Sequence, residues 1–358
     1  MRRYWEKKPL LIRGAIPGFQ PLLDRTELLD LAAQDDVESR QVVQAQADKQ
    51  GKWRLKHGPF PRKSLPPFKT PGWTVLVQGV DLHDERVHQL MNQFRFVPDA
   101  RLDDLMISYA TDGGGVGPHF DSYDVFLLQA HGRRRWRIGR QKDLTLLPDM
   151  PVKILANFVP EQEFVLEPGD MLYLPPHWAH DGIAEGECMT YSIGFRSPSK
   201  GEIARELLQC LAEQAADEAG PAIYRDPDQP AVARSAEMPA GILKFAQDAL
   251  RAALKDPLGL QRSLGEVLTE PKAHVWFHGG GSFEGGGVRL DRRTRMLFDA
   301  KHVFINGESY RAAGADARRM RQLADERELP ASEVDKLSEP AQELLAQWCE
   351  DGWLHGID

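Results

Sequence analysis

The sequence predicts a mainly β chain of the sandwich or barrel type, followed by a helical stretch and a small mixed terminal module. Three observations carry this. Residues 1 to about 200 alternate short strand-like runs with Gly/Pro turns: WTVLVQGVDL, DLMISYA, DVFLLQ, RRWRIG, EFVLEPGDMLYLPP and MTYSIGF. Many short strands punctuated by turns favour a closed or sandwiched β fold over a βαβ sheet. From Gly201 the texture changes to amphipathic helical runs, GEIARELLQCLAEQAADEA and AGILKFAQDALRAALKD, joined by the Pro-rich YRDPDQPAVARSAEMP. From about Pro271 a Gly-rich stretch, the pair RMLFDA and HVFINGESYRA, and two helical runs suggest a hairpin beside short helices, as in a winged helix. The domains expected are therefore 1–200, 201–270 and 271–358.

Composition narrows the classes. The chain has 358 residues, 42% hydrophobic and 27% charged, which suits two or three globular domains able to bury their own cores. A net charge of −8 argues against a general nucleic-acid binder and fits a basic partner better. Cys188, Cys210 and Cys349 form no CxxC pair and leave an odd thiol, as expected of a reducing compartment. The opening MRRYWEKKPLLIRGAIPG has only a brief apolar run, so no signal peptide is expected, and no run is long enough for a membrane span. A cytoplasmic protein is the expectation.

Within the first region, HDERVHQLMNQF interrupts the strands with Val87, Leu90, Met91 and Phe94 at helical spacing. The stretch VGPHFDSYDVFLLQAHGRRRWRIG, Val116 to Gly139, then reads as a β-hairpin with unusual charge on both faces. On a strand, His119 and Asp121 share one face while Phe120 takes the other, so both can chelate one ion. A third ligand is offered by EPGDMLYLPPHWAH, where a tight turn and the strand Met171–Leu174 lead to His177 and His180. Two imidazoles and one carboxylate on one side of a metal leave open positions, the facial triad of non-haem Fe(II) oxygenases. A second triplet, His83-Asp84-Glu85, falls in the helical run, where residues two apart diverge, and reads as solvated surface.

In GRRRWRIG, alternation puts Arg134 with Trp136 and Ile138 on the apolar, inward face, and Arg133, Arg135 and Arg137 outside. A buried guanidinium is costly unless an anion meets it. Beside a metal triad, the expected anion is the distal carboxylate of a dicarboxylate cosubstrate whose oxo-acid end chelates the metal. An internal Asp or Glu partner is the alternative. The Gly113–Gly115, Gly279–Gly281 and Gly285–Gly287 runs lack the setting of a phosphate loop and read as turns. The mixed charges of the terminal module show no basic recognition stripe, so nucleic acid is not an expected partner.

Several segments carry a family resemblance: YWEKKPLLIRG, VESRQV, HGPF, DDLMISYATDGGGVGPHFDSYDVFLLQAHGRRRWRIG, LEPGDMLYLPPHWAHDGIA and YSIGFRSPS. In this order they resemble the JmjC-type 2-oxoglutarate oxygenases, specifically the bacterial ribosomal oxygenase branch. That branch hydroxylates an arginine of large-subunit ribosomal protein sixteen. The resemblance implies a double-stranded β-helix (a jelly-roll, cupin-like JmjC barrel), then an α-helical dimerisation region and a C-terminal winged-helix module. It implies Fe(II), 2-oxoglutarate and dioxygen, with iron on His119, Asp121 and His180, and His177 standing where the family commonly has glycine. It implies that Arg134 grips the cosubstrate's distal carboxylate and suggests Ser108 as a hydroxyl partner, although alternation alone leaves Ser108 and Tyr109 open. Asp112 replaces the family's usual proline, and a substrate guanidinium would suit its carboxylate. The implied reaction is hydroxylation of an arginine at its β-carbon, the 3-position, with a large-subunit ribosomal protein and a second copy of the chain as partners. A histidyl or lysyl target, or a metal-binding cupin that is not an oxygenase, are the alternatives.

Overall fold

In the computed structural model, which describes residues 1–44, 53–281, 283 and 285–357, the chain divides into Met1–Ser197 and Pro198–Asp358. The first unit runs β1 (Leu10–Ile12), α1 (Arg25–Leu31), β2 (Ser39–Gln44), β3 (Trp53–His57), β4 (Trp73–Val77) and α2 (Glu85–Asn92). It continues with β5 (Leu102–Ala110), β6 (Val125–Gly139), β7 (Gln162–Leu166), β8 (Met171–Leu174) and β9 (Ala179–Phe195). Both helices start on an aspartate. Asp24 forms a capping box with Glu27, and Asp84 accepts the N–H groups of Arg86 and Val87. The second His-x-acid triplet is thus a helix cap, its aspartate occupied by the backbone.

The strands form one antiparallel sheet in the order β1-β8-β6-β9-β5-β4-β2-β3, with β7 also on β6. The jelly-roll barrel expected from the resemblance is what these strands build. The two central strands span it: β6 pairs with β9 along its whole length, with β8 through Val125–Leu128 and with β7 through Arg134–Ile138. The hairpin expected for this stretch is therefore a single strand of 15 residues. What looked like a turn is a break in register between Gln129 and Arg133. Gly132 sits there at φ 62°, and a Cβ on it would lie 2.0 Å from the Glu187 carbonyl oxygen. Only glycine fits, and a break of this kind bends the strand and shifts its facing.

That shift decides what enters the barrel. Before the break Val125 and Leu127 face inward; after it Trp136 and Ile138 do, all four packing with Leu166, Leu172 and Leu174. The opposite face of β6, Phe126, Leu128 and Ala130, joins Leu105, Ile107, Tyr109, Tyr191 and Ile193 in a second core. The apolar faces of α1 (Leu28, Leu29) and α2 (Val87, Leu90, Met91) close over it. Burying each such side chain contributes about 1.5–3 kcal/mol, so β6 is held from both sides.

The second unit comprises α3 (Lys200–Ala219), α4 (Ala240–Ala253), α5 (Gly259–Thr269), β10 (Gly287–Leu290), β11 (Met296–Phe298), β12 (His302–Ile305) and β13 (Glu308–Arg311). It ends with α6 (Gly314–Glu326), β14 (Glu328–Leu329), α7 (Ala331–Val334), α8 (Glu339–Glu350) and β15 (Leu354–Ile357). Two three-stranded sheets, β14-β10-β15 and β11-β12-β13, pack with α6 and α8 around Leu323, Leu345 and Trp348. This is the hairpin-and-helix module expected near the C-terminus. Its strands β11, β12 and β13 pack against α5, which also contacts α3. No residue of α3 or α4 is buried, and Leu208, Leu250 and Leu254 are exposed. Among the described residues, no helix is long and apolar enough to cross a membrane.

Truncating Leu128, fully buried at the centre of β6, to alanine is expected to cost about 3 kcal/mol. Leu144→Ala, on an exposed loop, should cost under about 0.5 kcal/mol. Urea unfolding followed by tryptophan fluorescence checks the contrast.

Candidate metal and dicarboxylate site

His119 and Asp121 do not lie on a regular strand. His119 forms an isolated bridge with His180, the second residue of β9. The His119 N–H donates to the His180 carbonyl at 3.0 Å, and the His180 N–H returns to the His119 carbonyl at 2.8 Å. One residue pair thus does the work expected of a strand. The Asp121 carbonyl accepts the His177 N–H at 2.8 Å, tying the loop after His119 to the turn before β9.

These ties bring His119, Asp121 and His180 together, with one ligand atom from each lying within 4.8 Å of the others. His180 Nε2 is 3.7 Å from Asp121 Oδ2. Each histidine uses its Nδ1 on the carbonyl two residues back, His119 on Gly117 at 2.9 Å and His180 on Trp178 at 3.0 Å. With Nδ1 carrying the proton in both, the two Nε2 lone pairs are left for a metal. Burial, reinforced by the neighbouring His119, holds the pKa of His180 well below the usual imidazole value. The neutral ring is the form that binds a metal. Two imidazoles and one carboxylate suit a divalent first-row ion such as iron.

Arg134, Trp136 and Ile138 all point into the barrel, as alternation predicts. Only 3% of Arg134 is exposed. Its Nη1 donates to Ser108 Oγ at 3.1 Å and to Thr190 Oγ1 at 3.3 Å, and its Nη2 to the Gly182 carbonyl at 3.2 Å. Among the described residues no acid forms an ion pair with it, so the internal salt bridge is absent. A guanidinium has five N–H donors. Three bonds are made here; Nε has no partner, and one Nη2 hydrogen remains. A carboxylate can accept from the donors that remain. The Trp136 ring stands 5.1 Å from the Arg134 Cζ and 5.8 Å from the His180 ring, bridging cation and triad. Gly182 makes room for both: a Cβ there would lie 2.7 Å from the Trp136 ring and 2.8 Å from Arg134 Nε.

The remaining expected residues are placed as follows. Ser108 faces Arg134, whereas Tyr109 points to the other core and donates its hydroxyl to Glu187. His177 is exposed, outside the triad, with φ 63°, a left-handed conformation that glycine adopts freely. Asp112 is also outside the triad; its Oδ1 accepts the Gly186 N–H at 2.8 Å, bracing a turn within β9. Thr190, Gln129 and the Gly182 carbonyl were not singled out from the sequence. The register break hides Gln129, because strict alternation puts it opposite Arg134.

Residues 89–203 match the JmjC domain family and residues 252–355 the ROXA-like winged helix family. The chain is 37% identical over 280 residues to the ribosomal protein uL16 3-hydroxylase of Escherichia coli, covering 76% of this chain and 71% of that protein. It is 37% identical over 204 residues to a probable ribosomal oxygenase of Haemophilus influenzae, covering 56% and 49% of the two chains. The solved structure of YcfD, a ribosomal oxygenase from Escherichia coli, superimposes with a TM-score of 0.80 at 29% identity, over 99% of this chain and 96% of that one. A YcfD structure in complex with cobalt and 2-oxoglutarate gives a TM-score of 0.78 at 29% identity, with the same coverage. With a JmjC barrel and a ROXA-like winged helix in one order along the sequence, and a relative this similar over most of both chains, the chain belongs to the JmjC-type ribosomal oxygenase family.

Proposed function

We propose that the chain is an Fe(II)- and 2-oxoglutarate-dependent oxygenase that hydroxylates an arginine at its 3-position in ribosomal protein uL16. The observation that carries this is the pairing of a His-Asp-His cluster with a buried arginine that lacks an acid. A five-carbon keto-diacid has one end for each.

In this reading His119, Asp121 and His180 hold the iron, Arg134 holds the distal carboxylate of 2-oxoglutarate, and Ser108 helps fix the guanidinium. When bound, iron and 2-oxoglutarate activate dioxygen for insertion into an unactivated C–H bond, with succinate and carbon dioxide as co-products. The protein's part is placement. The Gly117 and Trp178 carbonyls hold the Nδ1 protons of the two histidines, so the Nε2 atoms stay available and the rings do not turn. The inner walls, from Val125 and Leu127 to Leu172 and Leu174, keep water away from the reacting centre. Asp112 has a carboxylate oxygen beyond the one on Gly186 and is proposed to meet the substrate guanidinium. The net charge of −8 favours encounter with a basic ribosomal protein. Cytoplasm is the proposed location.

A homodimer is part of the proposal. Leu208 of α3 and Leu243 and Leu250 of α4 are exposed, and a self-complementary pairing of two copies would cover them.

Mass spectrometry of intact ribosomal proteins from cells with and without this gene tests the substrate. Wild-type uL16 should be heavier by one oxygen atom, mapped to one arginine; a shift on another protein or residue type contradicts the assignment. In purified protein, Asp121→Ala and His180→Ala should each bring 2-oxoglutarate-dependent hydroxylation of a uL16 peptide to background. Arg134→Met should raise the KM for 2-oxoglutarate about a hundredfold, the cost of leaving a buried charge unpaired. Sedimentation equilibrium should return twice the chain mass, and Leu208→Glu combined with Leu250→Glu should return the monomer.

A further inference from the structure

The Arg134 clamp is held by a relay that reaches one residue deeper into the barrel. Thr190, on β9 opposite Ser108, accepts from Arg134 Nη1 at 3.3 Å and donates its own hydroxyl proton to Gln129 Oε1 at 3.0 Å. Gln129 is fully buried, and its amide nitrogen donates to the His131 carbonyl at 2.8 Å. A contact to the Gly132 carbonyl follows at 3.4 Å. Those carbonyls belong to the register break of β6, the point at which strand pairing leaves backbone groups to be satisfied by side chains.

The donor and acceptor assignment is forced. The carbonyls of His131 and Gly132 can only accept, so they take the amide NH₂ of Gln129 and orient its oxygen toward Thr190. A threonine hydroxyl has one proton. With that proton committed to Gln129 Oε1, Thr190 presents only lone pairs to Arg134. Nη1 therefore spends its hydrogens on Thr190 and Ser108, which fixes how the guanidinium is turned.

We infer that Gln129 is a positioning residue for the cosubstrate: through Thr190 it fixes the orientation in which Arg134 meets the distal carboxylate. The inference rests on the cosubstrate reading above and adds a residue that touches neither metal nor ligand. It also gives the break at Gly132 a functional consequence, because an uninterrupted strand would turn Gln129 to the opposite face. Without the oxygen of Gln129 the Thr190 proton is free to turn toward Arg134. The guanidinium then loses an acceptor and its orientation loosens.

Binding to the Mn(II)-loaded protein, measured by calorimetry without turnover, separates this from a general packing role. Oxalate serves as the control ligand, since it chelates a metal but is too short to reach Arg134. Gln129→Met, similar in shape but without the amide, should weaken 2-oxoglutarate binding about tenfold and leave oxalate binding unchanged. Thr190→Val should do the same, and the double variant should be no weaker than Thr190→Val alone, as expected of two residues acting in series. In turnover the change should appear in the KM for 2-oxoglutarate, with kcat at saturation within about twofold. Equal loss of both ligands, or additive effects in the double variant, would overturn the relay and make Gln129 a structural residue. Unchanged 2-oxoglutarate affinity in Gln129→Met overturns it too. A wild-type protein that binds oxalate but not 2-oxoglutarate would overturn the cosubstrate reading itself, and the relay with it.

Discussion

A guanidinium sealed inside a β-barrel with hydroxyls and a carbonyl around it, and no acid among the described residues, leaves a charge that these neighbours do not balance. Among the described residues Arg134 has three neutral acceptors and an Nε without a partner. Neutral acceptors orient such a group well but neutralise nothing, so an unmet cation costs several kcal/mol wherever water is excluded. In the proposed function the distal carboxylate of the cosubstrate supplies the missing anion. Everything nearby follows from keeping that cation buried and aimed: Gly182 without a side chain, Trp136 across the gap to His180, and Ser108 and Thr190 on adjacent strands.

The two long strands carry the burden of placement. Because β6 and β9 pair without a break from Arg133 to Gly139, the cation on one and the buried histidine on the other are held by one unbroken stretch of ladder. Arg134 pairs with Ala184 and Ile138 with His180, so the clamp and the triad sit four residues apart on the same wall. His119 and Asp121 come from a loop, yet the His119–His180 bridge attaches that loop to the start of β9. A flexible connection would have left the triad's geometry to the metal; here one strand end sets it. Apolar packing on both faces of β6 makes this wall resistant to distortion, as a site that must hold two ends of one ligand requires.

Much of this was legible in the residues themselves. His119, Asp121 and His180 stand out because metal-binding side chains are few and their spacing follows from short-range geometry. Arg134 stands out because a charge in an apolar alternation breaks the rule that governs its neighbours. The helix that carries Val87, Leu90 and Met91 and the turn at Glu167–Asp170 are equally plain, each set by local periodicity or turn chemistry. The rest depended on partners distant in sequence. Period-two reasoning fails across Gly132, where one left-handed residue inverts the facing of the strand, so Gln129 could not be placed beside Arg134. Ser108 and Tyr109 remained interchangeable until pairing with β4 and β9 defined the inner face of β5. The short strands β1 to β3 lack a strong pattern of their own and are strands because the sheet supplies their neighbours. His177 was separated from His180 by resemblance; its left-handed backbone and exposed ring supply the physical reason.

The most direct test of the account is a crystal structure of this protein grown with Co(II) and 2-oxoglutarate. Cobalt is expected on the Nε2 atoms of His119 and His180 and a carboxylate oxygen of Asp121, with the diacid's far carboxylate on the Arg134 guanidinium. A diacid whose far end turns away from Arg134, or a metal held by other residues, would contradict it.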